Sequence, residues 1–475
     1  MPTYFSDPRL FTRRHMLRTT ACGFAGVALH AMLADRARAS QSPLAVRAPR
    51  IPARAKRVIF LFMQGGPSQQ DLFNPQELIA RNHGKKIDAP LAKERQDKTV
   101  RKMLALGPVA PVRPRGHCGM TISDLMPNLA GVADELCLMQ AVQADSLVHA
   151  PAVLQFHTGA MLDARPSMGA WVSYGLGTEN QNLPSFLTIH PGSDIRTYGS
   201  GFLPAVHQGT PLRVPRDASE SAIPYLSDAA TPPALQRRRL DFIQRMNHRL
   251  LDRYPADAQM EGSIESFEVA FRMQAEAPKA LDLSGESPAT LALYGVGDKS
   301  TDRNGRACLL ARRFSEAGVR FVQITMSDWD HHQDIRSALP PVCRSVDRPI
   351  AGLIRDLKSR GLLDDTLVVW SGEFGRTSWS QDLSGTSPIE KHGREHQPES
   401  FCAWMAGGGV RPGLTYGKTD DFGFHPVEGK IHLHDLHATL LYLLGLDHER
   451  LTYRHAGRDF RLTDVYGRVI PQLLA

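Results

Sequence analysis

Four short stretches of this 475-residue chain gather carboxylates, imidazoles and guanidinium groups beside apolar runs. Gln64-Gly65-Gly66-Pro67-Ser68, with Asp71 beyond, follows the run Arg57 to Met63. Ser327-Asp328-Trp329-Asp330-His331-His332 follows Val319 to Thr325, and Ser371-Gly372-Glu373-Phe374-Gly375-Arg376 follows Thr366 to Trp370. The fourth, His392-Gly393-Arg394-Glu395-His396, precedes Phe401 to Met405. Hard carboxylate oxygens together with neutral imidazole nitrogens suit a divalent cation, because they supply charge compensation and geometry at once. Asp330 with His332, and Asp328 with His332 at i and i+4, are spacings that can put two ligands on one ion. For each histidine taken singly the competing reading is a loop residue satisfied by local hydrogen bonds. Arg376 and Arg394 carry planar forks that either clamp an anion or pair with Glu373 and Glu395.

These residues need a scaffold that brings distant loops together. Arg57 to Met63 is apolar on both faces, as a strand in the middle of a helix-covered sheet must be. Arg303 to Ala317 has helical spacing, Gly318 can cap it, and Val319 to Thr325 reads as the next strand. Val346 to Arg360, Gly361 and Thr366 to Trp370 repeat that order, which predicts βαβ crossovers and a largely parallel sheet. Phe401 to Met405 reads as one more strand, and Leu433 to Leu444 as a helix. Between residues 212 and 295 the pattern changes to charged amphipathic segments such as Leu235 to Tyr254, which predicts a helical insertion. In open parallel sheets ligands bind beyond the carboxyl ends of the strands, where the clusters after the first three runs would converge.

The N-terminus carries Thr12-Arg13-Arg14-His15-Met16-Leu17-Arg18, a modest apolar stretch from Thr19 to Leu33, and Ala37-Arg38-Ala39. Paired arginines, a short h-region and a small-x-small site predict a twin-arginine signal over residues 1–39, recognised by the twin-arginine export machinery and cleaved near Ser40. The expected location is therefore periplasmic or extracellular. A basic, Pro-rich linker over residues 40–56 follows, and an α/β domain from residue 57 to 475. The apolar stretch is too short and too diluted for a membrane span, and no later segment is long and apolar enough. Of the formal charge of +7, residues 1–39 hold +4, so the mature part is only mildly basic. No basic stripe alternates with aromatic residues, which argues against a nucleic-acid partner. Cys118, Cys137, Cys308, Cys343 and Cys402 are widely spaced, and either one or two disulfides or buried free thiols fit them.

A longer set of motifs carries a family resemblance. The GGPS turn, SMGAWVSYGLG (Ser167 to Gly177), NLPSF (Asn182 to Phe186), GSGFLPAVHQG (Gly199 to Gly209), WDHH (Trp329 to His332), SGEFGRT (Ser371 to Thr377), GREH (Gly393 to His396), HDLHATLL (His434 to Leu441) and GLDHERLTY (Gly445 to Tyr453) closely resemble the exported bacterial DUF1501 family. That family resembles a divergent branch of the alkaline phosphatase and sulfatase superfamily. The resemblance implies a three-layer α/β/α sandwich, a metal site at the strand ends, and hydrolysis of sulfate or phosphate esters on a small molecule or a glycan. It aligns Asp328, Asp330, His332 and His396 with ligand positions and Glu373 with the carboxylate of a DHG motif. The site so implied holds one divalent ion (Zn, Ca, Mg or Mn). Counting back from Thr158-Gly159 puts His149 where a Cys, Ser or Thr nucleophile would stand, although a helix-start histidine bonded locally fits it equally. Several positions depart: the first strand ends in Gln64 and Gly65 where the superfamily has aspartates, and within the family's own pattern Gln69 stands for His and Asn74 for Asp. The expected catalytic set is His149, Arg376 and Arg394. The departures leave a second expectation, a noncatalytic member of the fold that binds an extracellular glycan or partner protein.

Overall fold

The apolar run Arg57–Met63 forms the strand β1, and it lies inside the main sheet of the computed structural model, which describes residues 42–89, 101–214, 222–224, 226, 230–254, 257–381 and 386–475. The other strands of that sheet are β2 (Leu136–Gln143), β3 (Phe186–Ile189), β4 (Thr210–Leu212), β5 (Phe321–Met326) and β6 (Thr366–Ser371). A separate hairpin, β7 (Gly375–Gln381) and β8 (Gly393–Gln397), stands at its edge, and β9 (Phe401–Ala406), β10 (Leu414–Tyr416) and β11 (Ile431–His432) complete it. The order is β10-β2-β9-β6-β1-β5-β3-β4, with β11 also on β2. Strand β9 alone runs antiparallel to its neighbours β6 and β2, so the exits of β1, β2, β5 and β6 and the entry of β9 share one edge.

Alternate residues of β1 feed two cores. Ile59, Leu61 and Met63 pack on one face, under α4 (Ala258–Leu281), α5 (Pro288–Tyr294), α6 (Asp302–Glu316) and α7 (Ile335–Ser359). Val58, Phe60 and Phe62 pack on the other, under α1 (His149–Thr158), α2 (Met168–Leu176) and α8 (Leu433–Leu443). The result is the three-layer α/β/α sandwich, with helical residues 233–294 inserted between β4 and α6; that insertion begins with α3 (Pro233–Arg253). Helix α7 begins eleven residues before the expected Val346 and passes through Pro340, Pro341 and Pro349. Its buried stripe, from Ile335 and Leu339 to Ile354 and Leu357, outweighs the local cost of the prolines.

Residues 42–56 lack regular secondary structure yet are not a free tether. Leu44 is buried, Arg50 and Ile51 N–H groups donate to Gly445 O, and those of Arg54 and Ala55 donate to Leu443 O. The twin-arginine segment lies outside the described residues. Among the described residues Cys118, Cys137, Cys308, Cys343 and Cys402 are free, and no helix is long and apolar enough to cross a membrane.

Candidate metal centre

Four side chains meet at the shared strand edge: His149, Asp330, His332 and His396, with one ligand-type atom from each lying within 4.8 Å of the others. Asp330 and His332 come from the loop after β5, His396 from β8, and His149 from the first position of α1, six residues beyond β2. Glycine permits this convergence at two places. Gly65, at φ +118°, passes so close that a Cβ would lie 2.7 Å from Asp330 N, and a Cβ on Gly393 would lie 2.2 Å from the His332 carbonyl carbon.

The three rings are oriented in the same way. His149 Nδ1 meets Glu373 Oε1 at 2.7 Å, His396 Nδ1 donates to Leu147 O at 2.7 Å, and His332 Nδ1 meets the Gln381 side-chain oxygen. Each Nε2 is left facing Asp330: His332 Nε2 at 2.8 Å and His396 Nε2 at 3.3 Å from Oδ1, and His149 Nε2 at 3.2 Å from Oδ2. Fixing one ring nitrogen on an acceptor sets the tautomer and leaves the other nitrogen's lone pair free for a metal. His149 Nε2 is buried and lies 3.2 Å from Asp330 Oδ2 without hydrogen-bond geometry, so the pair could share a cation. Phe374 packs on the His149 and His396 rings, with centroids 4.9 and 4.4 Å apart.

Charge is balanced from behind. Arg376 is buried and its guanidinium is spent on Gly65 O, Gly66 O, Arg394 O and Asp330 Oδ1. Gln69 fixes Arg376 in turn, accepting from its backbone N–H and donating to its carbonyl, each at 2.8 Å. Burial opposes the charge on Asp330, but the Arg376 hydrogen bond and charge, with His149 and His332, hold its carboxyl far below the usual range. Burial also opposes protonation of His149; the Glu373 hydrogen bond and the Glu373 and Asp330 charges outweigh it and raise its pKa. His396 is pushed down to about 4, first by burial and then by Arg376 and His149.

The structure distributes the expected site residues unevenly. Asp330, His332 and His396 stand together, and His149 joins them. Asp328 is exposed, at φ +78°, and outside the group. Glu373 sits one step back, accepting from Gly65 N–H and orienting His149. Neither arginine has a fork open to an anion or pairs with the glutamate expected of it. Arg376 pairs with Asp330, and Arg394 forms a wholly buried ion pair with Asp71, Nε to Oδ2 at 2.8 Å. Gln381 and the Leu147 carbonyl were not expected, because nothing in an isolated Gln or a backbone oxygen marks it as an imidazole anchor.

The class of protein is thus an α/β/α sandwich with three histidines and one aspartate, a group that could hold a metal ion, at the carboxyl edge of its strands. The family model "Protein of unknown function (DUF1501)" matches residues 55–474, and the chain belongs to that family. Curated proteins give no sequence match. Among solved structures, the lipoteichoic acid synthase LtaP from Listeria monocytogenes is 11% identical, with 88% of this chain and 78% of that chain covered and a TM-score of 0.35. PsFucS1 sulfatase from Pseudoalteromonas sp. is 13% identical (83% and 69% covered, TM-score 0.36). The alkaline phosphatase from the Antarctic bacterium TAB5 is 9% identical (84% and 99% covered, TM-score 0.33).

Proposed function

We propose that this chain is an exported, metal-dependent hydrolase of sulfate or phosphate esters carried by a small molecule or a glycan, with His149, Asp330, His332 and His396 holding one divalent ion. The observation that carries the reading is the convergence of three histidine Nε2 atoms on Asp330 while each Nδ1 is anchored elsewhere. Three imidazoles and one carboxylate favour Zn over Ca, Mg or Mn, which suit oxygen-rich shells. An ion held by these four residues would supply Lewis acidity for polarising an ester oxygen and activating water.

The chain's own residues supply the rest. Glu373 holds His149 in the tautomer that presents Nε2, and Gln381 and Leu147 O do the same for His332 and His396. Arg376 keeps Asp330 ionised from its buried side, while the Asp330 side chain remains 44% exposed, so the centre faces solvent on that side. A covalent serine or cysteine intermediate is not part of this reading, since the position implied for the nucleophile holds His149. Export rests on the twin-arginine segment, and secretion of a fusion carrying residues 1–45, lost on Arg13→Lys/Arg14→Lys, tests it.

A second reading has its own support: four protein donors can fill a tetrahedral shell, as in structural zinc sites that do no chemistry. Metal analysis of the purified chain, followed by chromogenic sulfate and phosphate esters with Asp330→Ala as control, decides between them. Turnover that disappears with Asp330→Ala supports hydrolysis. Bound metal with no turnover of any ester selects the noncatalytic member of the fold, binding a glycan or partner protein.

A further inference from the structure

Helix α3 is built inside out. The residues it turns toward α4 are largely polar: Arg237 ion-pairs with Glu268 at 2.8 Å, and buried Gln244 donates to Ile264 O. Leu240 is the one buried apolar side chain of the helix. The opposite side exposes Leu235, Phe242, Ile243, Met246 and Leu250, with Phe242 and Met246 at 58% and 57%. At 100° per residue these five span an arc of about 100° turned away from the buried stripe. Arg238, Arg245 and Arg249 line one border of the arc, and Arg239 and Arg253 fall within it. Residues 233–253 hold six arginines against Asp241 and Asp252, and Asp241 is already paired with Arg237.

An exposed apolar arc bordered by arginines fits an interface that is apolar inside and anionic at its rim. We propose that α3 lies on anionic lipid headgroups, with Phe242, Met246 and Leu250 entering the headgroup boundary and the arginines contacting phosphates. Charge complementarity selects this occupant. A second copy of the chain would bring two arginine rows together, and a nucleic acid would leave the apolar arc uncovered in water. This inference is independent of the metal centre.

Sedimentation of the full chain with phosphatidylglycerol-containing vesicles, against pure phosphatidylcholine vesicles, tests it. Binding should be at least ten-fold stronger to the anionic vesicles and should weaken as salt rises. Arg238→Gln/Arg249→Gln should lower it about 25-fold, at about five-fold per arginine near a charged surface. Phe242→Ser/Met246→Ser should lower it by at least ten-fold, and both pairs replace exposed side chains, so unchanged circular dichroism is expected. Hydrogen exchange on the same vesicles supplies a local reading: slower exchange across residues 238–253 supports the proposal. Equal binding to both vesicle types, binding that neither variant changes, or a dimer abolished by Phe242→Ser without vesicle binding would each overturn it.

Discussion

Two histidine clusters stand at the same sheet edge, both reached from the loop after β2, and they use their rings in opposite ways. In the first, His149, His332 and His396 anchor Nδ1 and point Nε2 at Asp330. In the second, at the start of α8, His434 Nε2 is spent on Gly159 O at 3.0 Å and His437 Nε2 on Phe156 O at 2.7 Å. There His432 pairs with Asp145 at 3.1 Å and also caps the helix. The residue types are nearly the same; which ring nitrogen the protein consumes separates a group that could hold a metal from a structural staple.

The largest test of that contrast removes one carboxylate from each cluster. Asp330→Ala should empty the centre and lower ester turnover by more than the about 10- to 100-fold typical of an outer partner, whereas Asp145→Ala should leave bound metal unchanged. Mass-spectrometric metal content read beside the rate checks both. Metal lost with Asp145→Ala, or retained with Asp330→Ala, would erase the distinction.

Next comes the difference between the two arginines beside the centre. Arg394 and Asp71 are wholly buried and tie the β1 exit to the hairpin, with Arg394 also donating to Thr377 O and Asp71 accepting from Val109 N–H. Arg394→Met strands a buried carboxylate and should cost about 3–5 kcal/mol in urea unfolding of the metal-free chain. A third effect is smaller still: Glu373→Gln keeps an oxygen near His149 but removes the charge, and metal affinity should fall about 10- to 100-fold, measured by competition with a chelator.

The scaffold was legible because buried parallel strands announce themselves. Arg57 to Met63, Thr366 to Trp370 and the Gly-ended helices before the later strands fit a helix-covered sheet better than any other arrangement. Strand direction was not legible: Phe401–Ala406 has the same apolar run as its parallel neighbours, and only the chain path through β8 reverses it. Asp330 and His332 could be picked out because ligand types crowd a strand exit, and His396 because they crowd the approach to another strand. His149 lies 181 residues before Asp330, and its partnership was visible only through the fold. The role of Arg394 misled for a related reason: a guanidinium near a site reads the same whether it faces solvent or Asp71.

One ring from each cluster, His149 and His437, should also respond to acid with opposite sign. His437 is wholly buried, and burial pushes its pKa down to about 3, so between there and about 6.5 the unfolded chain binds a proton that the native ring refuses. The stability it contributes is complete above about 6.5 and is lost as pH falls toward 3, with a slope of about 1.4 kcal/mol per pH unit. His437→Gln should flatten unfolding free energy against pH between 6 and 4 by about that slope. His149, whose pKa Glu373 and Asp330 raise in spite of burial, works the other way in the metal-free chain. Its contribution is complete below about 6.5 and is lost as pH rises through the native value. His149→Gln should therefore remove stability on the acid side while His437→Gln removes a liability there, and slopes of the same sign in the two variants would mean that Glu373 and Asp330 do not hold a proton on His149.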